Sequence, residues 1–152
     1  PSTPLLEGQF ANLPWMQGLP DPTTTGAWTT WVEVNPGTAA KMGLREGDVV
    51  VVASPAGQVE AQIYVYPAIP PDVVAMPLGQ GHTAYGRWAK YQGVNPLDVL
   101  APQVDAETGA LAWAATRVKL TKTGRNARLP KFEGIVTPFI PETIPMIQWK
   151  PG

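Results

Sequence analysis

His82 is the only imidazole in the chain, and it closes the glycine-rich run Pro77-Leu-Gly-Gln-Gly-His82. Glycines 79 and 81 permit positive φ and close approach of backbone to a ligand. The amides of Gly79, Gln80, Gly81, His82 and Thr83 are therefore candidate donors to a phosphate-type oxygen, arranged as an anion-accepting concavity. The plain alternative is a tight corner whose histidine bonds to nearby backbone. The spacing Gly79-x-Gly81-x4-Gly86 is not a nicotinamide fingerprint, because no long helix opens after a strand. With one histidine and no cysteine, a histidine-based zinc site would need carboxylates and is not expected.

Other polar residues have local work available. Asn95 precedes Pro96 and reads as a helix cap, although its amide also suits ligand contact. Asp105-x-x-Thr108-Gly109 is a common turn pattern that can also present a carboxylate and a hydroxyl. Asp48 and Glu46 flank the start of a strand without forming an acid/base couple, and no serine sits in a nucleophile elbow. Arg117, Lys119, Lys122, Arg125, Arg128 and Lys131 form a basic run with no acid before Glu133. Such a run suits a solvated strand edge, with phosphate or anionic lipid as the rarer partner. Nucleophile, acid and base do not gather in one place, so the residues favour binding over catalysis. No catalytic residue and no metal ligand is assigned.

The elements that must position these residues are short. At 152 residues and 16.3 kDa, with 44% hydrophobic and 15% charged residues, the chain is sized for one domain. A net charge of -1 argues against nucleic acid as a partner. No run is long and apolar enough to insert in a membrane, and no signal-peptide pattern is present. A start at Pro1 suggests a piece of a longer protein or a mature product. Strands are expected over 27–34, 49–52, 59–66, 73–76 and 112–121. Trp28, Thr30, Val32 and Val34 should share one face, and Val59, Ala61, Ile63 and Val65 another. Val49 to Val52, apolar on both faces, reads as buried from both sides. Asn35-Pro36 should cap a helical turn that ends at a left-handed Gly43. Residues 85–91 and 97–100 are further short helices. Prolines crowd both ends, which predicts an extended proline-rich arm over 1–25 and another arm or linker over 123–152, around a β-barrel body over 26–122.

Residues 26–122 resemble the C-terminal dinucleotide-binding domain of the molybdopterin oxidoreductases, the dimethyl sulfoxide reductase superfamily. The resemblance rests on Val34-Asn35-Pro36, Ala39-Ala40-x-x-Gly43-Leu44-x-x-Gly47-Asp48-Val49-Val50-x-Val52-x-Ser54, Gly57, Pro77-x-Gly79-x-Gly81-His82, Gly93-Val94-Asn95-Pro96-Leu97 and Asp105-x-x-Thr108-Gly109, in that order. Residues 79–89 are most similar to the molybdopterin-like, iron–sulfur subunit of alternative complex III and related quinone-linked respiratory complexes. The resemblance implies a mainly β fold, a six-stranded double-psi β-barrel with short helices. It implies molybdopterin guanine dinucleotide as the ligand, with metal and metal ligand in other domains. It also implies that Asn95, Asp105 and Thr108 reach that ligand beside residues 79–83. Subunits of the alternative complex III branch keep the fold without necessarily keeping the cofactor, so cofactor binding and a purely structural role both stay open.

The functional expectation is a non-catalytic cofactor-binding or scaffold domain in a respiratory electron-transfer oxidoreductase. Its implied partners are an iron–sulfur portion, toward which Ile144-Pro-Met-Ile147 would lead, and a membrane quinone-interacting subunit. The implied location is the periphery of a bacterial membrane complex. The rival reading is a PDZ-like peptide-binding module, because Asn35 to Asp48 also suits that fold. Against it stand the missing carboxylate-binding loop and the absence of a helix pattern between 66 and 76.

Overall fold

The computed structural model describes residues 2–112 and 114–132. Five strands form one sheet: β1 (Trp31–Val34), β2 (Asp48–Ala53), β3 (Gln58–Val65), β4 (Val74–Ala75) and β5 (Lys119–Asn126), ordered β4-β1-β3-β2-β5. β1 and β3 run parallel, and the other neighbouring pairs are antiparallel. The sheet is open, with β4 and β5 at its edges, so these strands do not make the closed six-stranded barrel expected. Two stretches account for this. Turn residues ahead of β4 and Pro77 behind it leave that strand only two residues long. Residues 103–112, meanwhile, fold back on themselves, with Ala112 N–H donating to Gln103 O at 2.9 Å.

Local chemistry explains the elements that build the core. Helix α1 spans Pro14–Gln17, and helix α2 spans Pro36–Lys41. Asn35 Oδ1 accepts from Gly37 N–H at 2.8 Å, and Pro36 begins α2, where a missing donor is harmless. Gly43 ends the turn at φ +64°, and Leu44 N–H reaches back to Ala39 O at 2.8 Å. Ala39 and Leu44 thereby pack on Val32, Val34, Val50, Val52, Val59, Ala61 and Ile63, with Val99 from a 3₁₀ turn over Pro96–Val99 closing the cluster. β3 alternates as expected through Ile63, while Val65 is only half-buried. β2, expected to be buried on both faces, instead alternates: Val50 and Val52 are buried on the core face, whereas Val49 and Val51 on the opposite face are half-exposed.

Several boundaries differ from the sequence reading. β1 starts at Trp31 rather than 27, because Trp28 takes φ +60° and leaves the extended conformation. Residues 85–91 contain a single helical turn, α3 (Gly86–Ala89). The last strand begins at Lys119 rather than 112 and continues to Asn126, inside the stretch expected as an arm. Residues 2–25 are not extended: they form turns and α1, and bury Leu5, Ala11 and Gln17. The segment from 133 onward, with Ile144-Pro-Met-Ile147, lies outside the described residues. No helix forms between 66 and 76, where a peptide-binding groove would need one; turns and β4 stand there instead.

Folding also supplies the acids that the basic run lacked in sequence. Arg125 pairs with Glu60, Lys131 with Glu46 at 2.5 Å and Lys122 with Asp48 at 2.7 Å. The first two pairs are exposed enough to add little. Asp48 is different, being 4% exposed. Lys122, then Asn126 Nδ2 at 3.0 Å and Arg45 N–H at 2.9 Å, hold its carboxyl down at about 2. A carboxylate lowered by folding stabilises the chain above its ordinary value of 3.8 and loses that contribution as pH falls toward about 2. Asp48→Asn should therefore melt at a lower temperature than the wild type at pH 7. The gap should close as pH is lowered from about 4 to about 2, read by circular dichroism; a gap independent of pH would refute the assignment.

Two glycines separate backbone strain from steric conflict. Gly43 and Gly47 both have positive φ, +64° and +80°, but only at Gly47 would a Cβ collide, 2.5 Å from Ala127 O. Gly43→Ala should cost about 1 kcal/mol for the left-handed backbone alone. Gly47→Ala should cost about 2–3 kcal/mol. Urea denaturation of both variants tests the difference, and equal losses would count against the packing described.

Candidate functional site

The glycine-rich loop and the residues that follow it close on themselves. Gly81 N–H donates to Gln92 O at 2.8 Å, and Tyr91 N–H donates to His82 O at 2.8 Å. Gly81 has φ +85°, and a Cβ there would sit 2.1 Å from the Asn95 nitrogen. This glycine therefore serves the approach of the chain's own backbone, and its amide is already used. Thr30, 2% exposed, ties the same loop to the start of β1. Its hydroxyl donates to Val94 O at 2.9 Å and accepts from Val94 N–H at 3.1 Å.

The N-terminal segment wraps the other side of the loop. Gln17 and Gln80, 1% and 6% exposed, exchange two amide hydrogen bonds at 3.1 and 2.6 Å. Gln17 Nε2 also donates to Ala11 O at 2.7 Å. Asn12 Oδ1 accepts from Trp88 N–H at 3.0 Å, and the Tyr85 hydroxyl donates to Gln9 O at 3.0 Å. Gly79 packs on Leu5 and Leu6, whose atoms lie 3.0 and 3.1 Å from where its Cβ would be. The His82 ring lies 5.2 Å from that of Tyr85. Gly8, at φ +118°, leaves a notch where a Cβ would be 2.7 Å from His82 Nε2. That nitrogen is buried and has no hydrogen-bond partner among the described residues.

The structure thus gathers Gly79, Gln80, Gly81, His82, Thr83 and Asn95 around one loop, with Thr83 exposed. Asn95 is occupied as a cap: its Oδ1 accepts from Leu97 N–H and its Nδ2 donates to Asp98 Oδ1, both at 3.2 Å. Among the described residues, no hydrogen bond ties Asp105 or Thr108 to that loop. They lock a separate exposed turn, in which Asp105 Oδ1 accepts from the Thr108 N–H and hydroxyl, both at 2.8 Å, and from Glu107 N–H at 3.1 Å. The Thr108 donors, more than Glu107, lower the Asp105 carboxyl below its ordinary value. Its Oδ2 takes no bond within the described residues. Asn12, Gln17, Gly8 and Thr30 are additions the sequence did not signal, since each acts on a partner some 60 to 76 positions away and carries no local motif.

A cleft of about 250 Å³ opens beside Gly93 and Val94, lined also by Thr30, Gln62, Glu60 and Arg125. It falls below the size of a typical drug-sized site. Among the described residues no group of three or more His, Cys, Asp or Glu side chains is placed to hold a metal ion.

Residues 21–112 match the family described as "Molydopterin dinucleotide binding domain". Over 92 residues, 60% of this chain, the sequence is 38% identical to the menaquinone reductase, molybdopterin-binding-like subunit, of Nitratidesulfovibrio vulgaris Hildenborough. Over 124 residues, 76% of the chain, it is 34% identical to the arsenate respiratory reductase molybdopterin-containing subunit ArrA of Shewanella sp. strain ANA-3. These matches cover 13% and 14% of those relatives' own lengths. Acetylene hydratase from Pelobacter acetylenicus shares the fold, with a TM-score of 0.51 at 20% identity over 61% of this chain and 14% of that one. With the family match spanning more than half of its length, the chain belongs to the molybdopterin dinucleotide-binding domain family of the molybdopterin oxidoreductases.

Proposed function

We propose that this domain is a non-catalytic wall against a pterin–guanine dinucleotide within a larger, quinone-linked respiratory oxidoreductase. The observation that carries the reading is the unpartnered His82 Nε2, buried in the notch beside Gly8 on a loop that is otherwise internally bonded. A buried nitrogen without a partner is costly, and a phosphate or pterin oxygen is a group that would satisfy it. The exposed Thr83 hydroxyl and the unused Oδ2 of Asp105 extend the same donor and acceptor set. When bound, the dinucleotide supplies the redox chemistry. The chain's own part is to hold its loop still, offer these polar groups and keep the ligand's outer edge covered.

Gly79 and Gly81, which the sequence suggested as open cradles, are filled by Leu5, Leu6 and the Asn95 backbone. Residues 79–83 are therefore proposed to act through Thr83, His82 and the remaining amides, with Asn95 and the Asp105–Thr108 turn as flanking contacts. The relative named as a menaquinone reductase subunit supports a quinone-linked setting; an alternative complex III-like assembly, with an iron–sulfur portion and a membrane quinone-interacting subunit as partners, is part of the same proposal. A scaffold role without cofactor is the limiting case of the same architecture.

GDP, as a probe of the guanosine pyrophosphate end, should shift the amide resonances of His82, Thr83, Asp105 and Thr108 in the isotope-labelled chain. His82→Ala should weaken that binding about tenfold, the loss of one buried hydrogen bond of roughly 1.4 kcal/mol. Saturation of the spectrum with no shifts in 79–83 would leave the scaffold role alone. Molybdenum and guanine nucleotide assays on the parent subunit isolated from cells would then read zero for both.

A further inference from the structure

The family match begins at residue 21, yet much of what holds the glycine-rich loop lies before it. Several contacts cross between the two segments. They include the reciprocal Gln17–Gln80 amide pair, the Asn12 carbonyl under Trp88 N–H, the Tyr85 hydroxyl on Gln9 O, and Leu5 against Gly79. Gly86 repeats the theme, because a Cβ there would sit 2.2 Å from Asn12 Nδ2. Gln17 is the most committed of these residues. At 1% exposure it spends its amide on Gln80 and Ala11 O, and loss of its side chain would strand a buried Gln80 amide without partners.

We infer that Gln17 and Asn12 are positioning residues of the ligand loop, and that residues 5–17 are an integral bracket of the site. This rests on the loop being the ligand-contacting surface, but the bracket itself is a property of this chain and can be tested without ligand. The side-chain hydrogen bonds of Asn12 and Gln17 to the body fall on the loop, while the Gln17 carbonyl accepts from Trp28 N–H at 3.3 Å ahead of β1. The sheet core is built from β1, β2, β3 and α2, and shares none of these contacts. Gln17 and Asn12 therefore set loop geometry rather than overall stability.

Hydrogen exchange of the full chain distinguishes the two. In Gln17→Leu and Asn12→Ala, protection of the Gly81 and Tyr91 amides, which bond to Gln92 O and His82 O, should fall by at least about tenfold. Val50 and Ile63 in the core should keep theirs. In Gln17→Leu/Gln80→Leu, where both polar partners are replaced together, protection at Gly81 should return toward the wild-type value. Equal loss in loop and core, or unchanged loop protection in both single variants, would overturn the inference. GDP titration of the same variants separates the two readings. If wild type binds GDP, the single variants should bind it about tenfold more weakly. If wild type shows no GDP shifts, the ligand reading fails while the exchange pattern still decides the bracket.

Discussion

The parallel pairing of β1 with β3 sets the frame for everything else. Parallel neighbours need a crossover connection, and here α2 and β2 supply it. Register places Val32 opposite Ile63 and Val34 opposite Val65, so the face that buries Val32 and Val34 also buries Ile63. The crossover brings Ala39 and Leu44 onto that same face, and β2 adds Val50 and Val52 from the far side of β3. With this face fixed, the segment before β1 has its direction fixed too. Thr30, one residue ahead of the strand, is thereby placed to clamp Val94, and through Val94 the loop inherits the rigidity of the sheet.

From there the polar architecture divides into two jobs. Buried Asp48 takes up Lys122 of β5, which helps fasten an edge strand whose own burial is slight, while Glu46 and Glu60 meet cations at more exposed positions. The loop from 77 to 95 is fastened by neutral amides and hydroxyls instead. Neutral hydrogen bonds suit that place, because a buried ion pair would carry a large desolvation penalty. His82 Nε2 stands out against this background of satisfied groups.

Much of the core and its helical cap was legible in residue order, because their signals are local. Asn35-Pro36 ahead of Thr38 and Ala39, a glycine at 43, and the alternation from Val59 to Ile63 each act within a few positions. Sheet closure was not legible. It depended on pairing at the far end of the chain, where residues 103–112 bond to one another across the Asp105–Gly109 turn and the last strand starts only at Lys119. The loop's glycines were legible as tight corners but not as to what would fill them. Gly81 meets Asn95 and Gly79 meets Leu5, and only folding brings those pairs together. The N-terminal stretch was hardest to read. Prolines there suggested extension, whereas Gln17 and Leu5 are buried, and burial of a glutamine has no periodic signature.

The early placement of Gln17 and Asn12 also bears on how this module is portable. The family model opens at residue 21, after the amide pair that bonds to the loop. A chimera spliced at the alignment boundary would carry the glycine corner into its new host but leave behind the strut it leans on. A chimera that kept the preceding twenty or so residues would carry the strut with it.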